Sequence, residues 1–184
     1  MPGSVEQEGI SMDNETTIIR LSGKFGKKIG WIPEHKTPMH ENPYLDWSAH
    51  LFRAPRTEYV LITNTASLYS AIVYGRGITD ENQFLKRAIR SIDDMLEDDG
   101  FQLIFKRIIA PALGKYDFCK ALNRTVIGSM NDLVRMAKRW LADGELSPYR
   151  VAMKLNETPF SYLDYQFPKE AFQRLQVVTK QVEE

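Results

Sequence analysis

Between Trp47 and Tyr74 the chain carries three strand-like segments joined by turns too short for anything but antiparallel pairing. The segments are 47–54, 59–63 and 68–74, with turns at 55–58 and 64–66. Connections of this length join antiparallel neighbours, whereas parallel strands need a crossover of a dozen or more residues. The apolar run at 60–62 predicts that the middle strand is covered on both faces. We therefore expect an antiparallel meander at the centre of the fold.

Further segments extend this sheet and cover it. Two more β-rich segments, 16–21 and 116–122, predict additional strands. Apolar residues at helical spacing and helix-capping signals predict helices at 22–29, 80–99, 101–113, 129–141 and 147–155, and from 168 onward. Because the strands come mostly first and the helices mostly later, we expect an α+β fold, with an antiparallel sheet of about four to five strands packed against several helices.

The length and the charge limit the domain organisation and the partners. The chain has 184 residues, which suits one domain, and its polar, acidic beginning predicts a disordered tail at 1–14 before a single α+β domain at 15–184. Lysine plus arginine equals aspartate plus glutamate at 24 each. A net charge of zero gives no long-range attraction to nucleic acid or membrane, although it permits a local basic patch.

The cysteine count and the hydropathy bear on the compartment. Cys119 is the single cysteine, so no internal disulfide can form. No apolar run approaches the roughly 20 residues of a membrane span, and the N-terminal segment lacks the apolar stretch of a secretory signal. We expect a cytoplasmic, most simply bacterial, protein that does not contact a membrane.

The densest polar cluster surrounds one predicted helix start. Ser129 and Asp132 have the spacing of a capping box, which would open a helix whose apolar face includes Trp140. A helix N-terminus presents unpaired N–H groups, so an anion could bind there beside a cation. The alternative is structural: the Ser and Asp satisfy their own helix, and the cation pairs with a carboxylate. The candidate anion site consists of Asn123, Arg124, Ser129, Asn131 and Asp132.

A second candidate lies on the first strand of the meander. His50 could act as a general base oriented by Asp46, which would lie on the same face of the strand. The competing interpretation is a turn aspartate and a half-exposed histidine with no catalytic part.

Metal and cofactor motifs are not evident. The spacings of His35, His40 and His50 match no standard zinc arrangement, and a buried Cys119 would behave as a small hydrophobe. The segment 75–77 lacks the pattern of a phosphate-binding loop. We expect neither a metal nor a cofactor.

Three basic clusters leave nucleic acid open as a partner. Arginine and lysine contact phosphates, and exposed aromatic residues stack on bases. Acidic residues near each cluster favour ordinary solvated faces instead. The cations are Lys24, Lys27 and Lys28; Lys86, Arg87 and Arg90; and Arg135, Lys138 and Arg139, and the aromatic candidates are Trp31, Tyr44 and Tyr149.

Three motifs resemble those of an uncharacterised bacterial family of domains of unknown function. Residues 42–52 resemble NPxLDWHANLF, residues 123–133 resemble NRSVLGSMNDL, and residues 155–159 resemble LNxTP. The chain departs from the first motif, with Ser48 where the family often has His and His50 where it has Asn. The resemblance covers roughly residues 16 to 175, implies a bacterial or mobile-element context, and implies no activity.

Two functional hypotheses remain. The first is a non-catalytic interaction or regulatory domain with a protein or nucleic-acid partner, favoured because no metal set, nucleophile–base pair or cofactor loop is evident. The second is a small enzyme acting on an anionic, phosphate-containing substrate held by Arg124 and the helix start at Ser129. A pocket joining His50 to Arg124 would favour the enzyme.

Overall fold

The computed structural model describes residues 15–177, so the predicted tail at 1–14 lies outside the described residues, as do residues 178–184. All five predicted strands are present. They are β1 Thr17–Leu21, β2 Asp46–Ala54, β3 Thr57–Asn64, β4 Ser70–Tyr74 and β5 Tyr116–Cys119. The regular helices are α1 Gly23–Ile29, α2 Glu81–Asp98, α4 Arg124–Leu141, α5 Pro148–Asn156 and α6 Pro168–Gln173. The helical segment α3 lies between α2 and β5 and consists of three consecutive pieces: Gln102–Ile104, a π turn at Phe105–Ile109, and Ala110–Ala112.

The five strands form one mixed sheet in the order β4-β3-β2-β1-β5. The predicted meander is present, since β2, β3 and β4 pair antiparallel. The prediction of a wholly antiparallel sheet is wrong, because β1 pairs parallel with both β2 and β5. Long connections allow this pairing: α1 and a loop lie between β1 and β2, and the chain passes through most of the sheet and two helical segments before β5. The fold class remains α+β.

Helices cover the sheet on both faces. The helices α2 and α3 pack on the side that carries Ile19, Trp47 and Ile62. Helix α4 packs on the opposite side, where Val134 lies near His50. The middle strand of the meander, β3, is buried as predicted, with its 60–62 run at most 2% exposed. Between residues 15 and 177, no helix has both the length and the apolar character needed to cross a membrane.

Helix α4 begins earlier than the capping-box prediction placed it. Its N-cap is Asn123, whose Oδ1 accepts a hydrogen bond from the backbone N–H of Val126 at 2.9 Å. Ser129 lies inside the helix and donates its hydroxyl to the Thr125 carbonyl at 3.0 Å. The capping-box prediction is therefore wrong, because a cap at Asn123 buries Val126 as well as Met130 on the apolar face. Trp140 lies on this face but is only half buried, and it packs under the Lys154 ammonium, 4.5 Å from the ring centroid.

A buried arginine fastens the proline-rich loop at 31–42 to the sheet. Arg20 in β1 is 1% exposed and forms a bidentate ion pair with the fully buried Asp46, with Nε–Oδ1 and Nη2–Oδ2 distances of 2.8 Å. The remaining guanidinium protons reach carbonyls of Thr37 at 2.7 Å, Pro38 at 2.9 Å and Lys120 at 3.4 Å. One side chain thus ties the loop to β1 and to the end of β5.

Candidate functional site

Five cations line one open cleft at the end of the sheet where β2 turns into β3. The cleft has a volume of about 780 Å³. Its walls come from α1, the β2–β3 hairpin, the segment after β4 and α2. We call it the basic cleft, and its charged and aromatic lining residues are Lys28, Arg53, Arg56, Glu58, Tyr74, Arg76 and Arg87.

The cleft holds more positive than negative charge. Glu58, the single carboxylate among the described residues that line it, pairs with Lys28 at 2.9 Å and with Arg53 at 3.4 Å. The hydrogen bond from Lys28, with the charges of Lys28 and Arg53, lowers the pKa of Glu58 despite the opposing effect of burial. Arg56 and Arg76 form no ion pair with any residue between 15 and 177. Among the described lining residues, five cations against one carboxylate leave an excess of four positive charges.

Arg87 orders one wall of the basic cleft. Its guanidinium donates to the backbone carbonyl of Tyr74 at 2.8 Å and to that of Arg76 at 2.6 Å. These acceptors are neutral, so the bonds hold the turn after β4 without cancelling the charge of Arg87. Tyr74 itself is 53% exposed, and its ring packs on that of Tyr59 with centroids 5.4 Å apart.

A neighbouring depression of about 400 Å³ extends the positive surface toward α4. Arg53 lines both concavities. Of the cations in the depression, Arg135 pairs with Asp132 on its own helix. No acidic residue is among the described residues that line the depression; those that do are Lys24, His50, Leu51, Phe52, Arg53, Asn131, Val134, Arg135 and Lys138.

His50 lies in this depression but not beside an orienting acid. Burial, followed by the charges of Lys24 and Lys138, lowers its pKa and so favours the neutral imidazole. Asp46 is four residues away on the same strand, a separation of about 13 Å. Asp46 is also fully engaged with Arg20. The structure therefore does not bring the two predicted residues together as a base and its orienting acid.

The predicted anion site is spread along α4. Asn123 uses its side-chain oxygen as the helix cap, and Asp132 pairs with Arg135. Asn131 lies about 10 Å along the axis from Arg124, two turns further on, and lines the depression. Arg124 is exposed, and its guanidinium has no hydrogen-bonded or ionic partner within the described part of the chain. The cavity beside His50, about 420 Å³ and mainly apolar, reaches Val126 but does not include Arg124.

Three side chains of other kinds converge at the edge of the sheet. Asp117 and Cys119 alternate on β5 and so share one face. His35 comes from the proline-rich loop. Its Nε2 lies 2.9 Å from Asp117 Oδ2 and 3.5 Å from Cys119 Sγ, and the sulfur lies 3.3 Å from the same carboxylate oxygen. Burial raises the pKa of the Cys119 thiol.

Sequence reasoning found part of these surfaces. Lys24, Lys28, Arg87, Arg135 and Lys138 belonged to the three basic clusters; Lys28 and Arg87 line the basic cleft, and the other three line the depression. The aromatic residue that lines the cleft, Tyr74, is not one of the predicted stacking residues. Of those, Tyr44 is buried and Tyr149 donates its hydroxyl to Asp98. Residues missed were Arg53, Arg56, Tyr74, Arg76 and Asp117. The only local signals were arginines at both ends of the β2–β3 turn and the Asp-x-Cys alternation on a strand.

The comparisons with known proteins give one finding. Residues 18–171 match the model of a family described as a domain of unknown function, DUF6933. Searches of curated proteins and of solved structures give no match.

Proposed function

The chain belongs to the DUF6933 family of domains of unknown function, and we propose that it is a non-catalytic binding domain whose basic cleft holds single-stranded nucleic acid. The observation that carries the proposal is the excess of cations in the cleft, where Arg56 and Arg76 have no ionic partner among residues 15–177. Unpaired guanidinium groups in a concave site are suited to phosphate oxygens, which they bind through two parallel hydrogen bonds.

An aromatic wall favours nucleic acid over an acidic peptide. Tyr74 is half exposed beside the cations and is supported from below by Tyr59. Single-strand binding sites combine a positive groove with aromatic rings on which bases stack, and each stacked base contributes about 1–3 kcal/mol. An acidic peptide would use the cations but gain little from the exposed ring.

The lining of the cleft favours binding over catalysis. Among the described residues that line it, the only hydroxyl side chains belong to Thr57 and Tyr74, and none is a histidine or cysteine. A nucleophile with an adjacent base is the usual requirement for covalent or hydrolytic chemistry.

We place the protein in a reducing bacterial cytoplasm, where nucleic acid is abundant and the free thiol of Cys119 would persist.

The test is fluorescence anisotropy with a labelled oligothymidine, measured for wild type, for the double variant Arg56→Ala/Arg76→Ala and for Tyr74→Ala. We expect the double variant to bind about tenfold or more weakly, and to lower the salt dependence of log K by about 0.7 for each phosphate that it no longer neutralises. Arg107→Ala on α3 removes an exposed cation that does not line the cleft, so it should bind as wild type does. Equal binding by all four proteins would refute the proposal.

The same assay separates the two classes of partner. Polyglutamate competes for the cations without offering bases. If polyglutamate displaces the oligonucleotide at lower charge concentration, and Tyr74→Ala leaves oligonucleotide affinity unchanged, the cleft is a site for an acidic protein segment and the nucleic-acid proposal fails.

An enzyme acting on a phosphate-containing substrate at Arg124 and Ser129 remains the alternative. What supports it is the exposed, unpaired guanidinium of Arg124 beside the start of α4, with no partner between residues 15 and 177. We expect Arg124→Ala to unfold within about 0.5 kcal/mol of wild type, as for other surface positions. A rise in melting temperature with inorganic phosphate that exceeds a chloride control of equal ionic strength, and that Arg124→Ala lacks, would support the alternative.

A further inference from the structure

The cluster of His35, Asp117 and Cys119 has the donor atoms of a metal site. The three residues supply an imidazole nitrogen, a carboxylate oxygen and a sulfur, all within 4.8 Å of one another. Cys119 is fully buried, whereas the His35 and Asp117 side chains are 53% and 42% exposed. The sulfur therefore forms the floor of the site, and the other two donors form its rim.

The separations of the three atoms match the edges of a coordination tetrahedron. With a Zn–S bond of about 2.3 Å and Zn–N and Zn–O bonds of about 2.0 Å, sulfur lies about 3.5 Å from the nitrogen and the oxygen, and nitrogen and oxygen lie about 3.3 Å apart. The corresponding distances here are 3.5, 3.3 and 2.9 Å. A cation could enter with movements of a few tenths of an ångström, which exposed side chains such as His35 permit.

The arrangement does not suit a cysteine nucleophile with a His–Asp relay. In such a triad the acid holds one ring nitrogen while the other faces the nucleophile. Here Asp117 and Cys119 both contact Nε2 of His35. Three donors that converge on one point favour coordination over proton relay.

The surrounding structure holds the donors in place without a ligand. The Lys120 N–H donates to the His35 carbonyl at 2.9 Å, which fixes the loop against the end of β5. The buried Arg20 donates to carbonyls of Thr37 and Pro38 on the loop and of Lys120 after β5. The same guanidinium thus anchors both chain segments that carry the donors.

We propose that His35, Asp117 and Cys119 bind a divalent transition metal ion, most suitably Zn²⁺. One thiolate, one imidazole and one carboxylate form a ligand set that Zn²⁺ accepts, with the fourth position left to solvent on the exposed rim. The Thr37 hydroxyl, 3.2 Å from the sulfur, lies beside the site. Coordination deprotonates the Cys119 thiol, and its proton passes to solvent. This site is separate from the basic cleft, so its existence does not depend on the proposed function.

The test uses the untagged full chain, stripped of metal and titrated with Co²⁺ as a spectroscopic probe, then with Zn²⁺ against a chromophoric chelator. We expect one equivalent of Co²⁺ to give the charge-transfer absorption of a cobalt–thiolate bond and the intense visible bands of tetrahedral coordination. Cys119→Ser should lose the charge-transfer absorption, and His35→Gln and Asp117→Asn should each weaken Zn²⁺ binding by more than about a hundredfold.

The control is His50→Gln, which removes a histidine on β2, two strands away from β5 in the sheet, and should bind both metals as wild type does. Zn²⁺ should also raise the melting temperature of wild type and of this control, but not of His35→Gln. Since His35 and Asp117 are half exposed, their variants keep the test valid if Cys119→Ser fails to fold. Absence of cobalt–thiolate absorption in wild type, or equal Zn²⁺ affinity in wild type and His35→Gln, would show a hydrogen-bonded cluster and overturn the proposal.

Discussion

Arg20 and Asp46 show how a single buried pair can order a segment that has no regular structure. Both side chains are almost fully buried, so their transfer from water is costly, and only complete hydrogen bonding makes it tolerable. The guanidinium has its two carboxylate contacts and three carbonyl acceptors, and the carboxylate also accepts the His40 N–H at 3.0 Å. No buried side-chain nitrogen or oxygen within the described chain lacks a partner.

Removing the negative charge of this pair should therefore be severe. We expect Asp46→Asn to lower the free energy of unfolding by about 3–5 kcal/mol, because it leaves the Arg20 charge buried and uncompensated. The matched control is Asp132→Asn, which breaks an exposed pair with Arg135 and should cost less than about 1 kcal/mol. Urea denaturation at neutral pH measures both, and similar losses for the two variants would contradict the assignment.

At the scale of elements, α4 shows how one helix start sets the position of a whole face. With its cap at Asn123, the helix directs Val126, Met130, Leu133, Val134 and Ala137 inward and Asn131 and Arg135 toward the depression. The predicted start at Ser129 preserved the same helical phase from Met130 onward. It missed the residues before Ser129 because Ser129 and Asp132 have the spacing of a capping box, and the β-branched Thr125, Val126 and Ile127 give no strong helix signal of their own.

The two helix starts make opposite predictions for a pair of alanine substitutions. Asn123→Ala should cost about 1 kcal/mol, since the Val126 N–H loses its side-chain acceptor. Ser129→Ala should change the free energy of unfolding by less than about 0.5 kcal/mol, since its hydroxyl only adds a second donor to a carbonyl inside the helix. Denaturant titrations of both variants decide between them, and a larger loss at Ser129 would restore the capping box.

At the scale of the whole molecule, the zero net charge conceals an uneven distribution. The basic cleft gathers cations from α1, the β2–β3 hairpin, the segment after β4 and α2, and the depression gathers them from α1, β2 and α4. Acidic residues concentrate at the end of α2, where Asp99 accepts the Tyr69 hydroxyl at 2.6 Å and pairs with Lys169 at 2.8 Å. Formal charge therefore gives little guidance to partners here, because binding responds to the local field of a cleft and not to the sum over the chain.

By itself the sequence determined the elements of this protein and their class. Each of the five strands and the main helices follows from local periodicity and turn residues, and the meander follows from the short turns at 55–58 and 64–66, because these signals act over a few residues. The parallel pairing of β1 with β2 and β5 did not follow, since long connections leave strand direction open.

Only the tertiary structure decided which polar residues meet. His35 lies 82 residues from Asp117, and Arg53, Arg76 and Arg87 lie on three different elements, so no spacing in the sequence marks either group. Asp46 and His50 were expected to be partners, but they lie far apart although they are close in sequence. Each residue of an extended strand adds about 3.3 Å to the distance between them. Sites depend on side chains that long-range packing brings together, and that packing is a property of the folded chain alone.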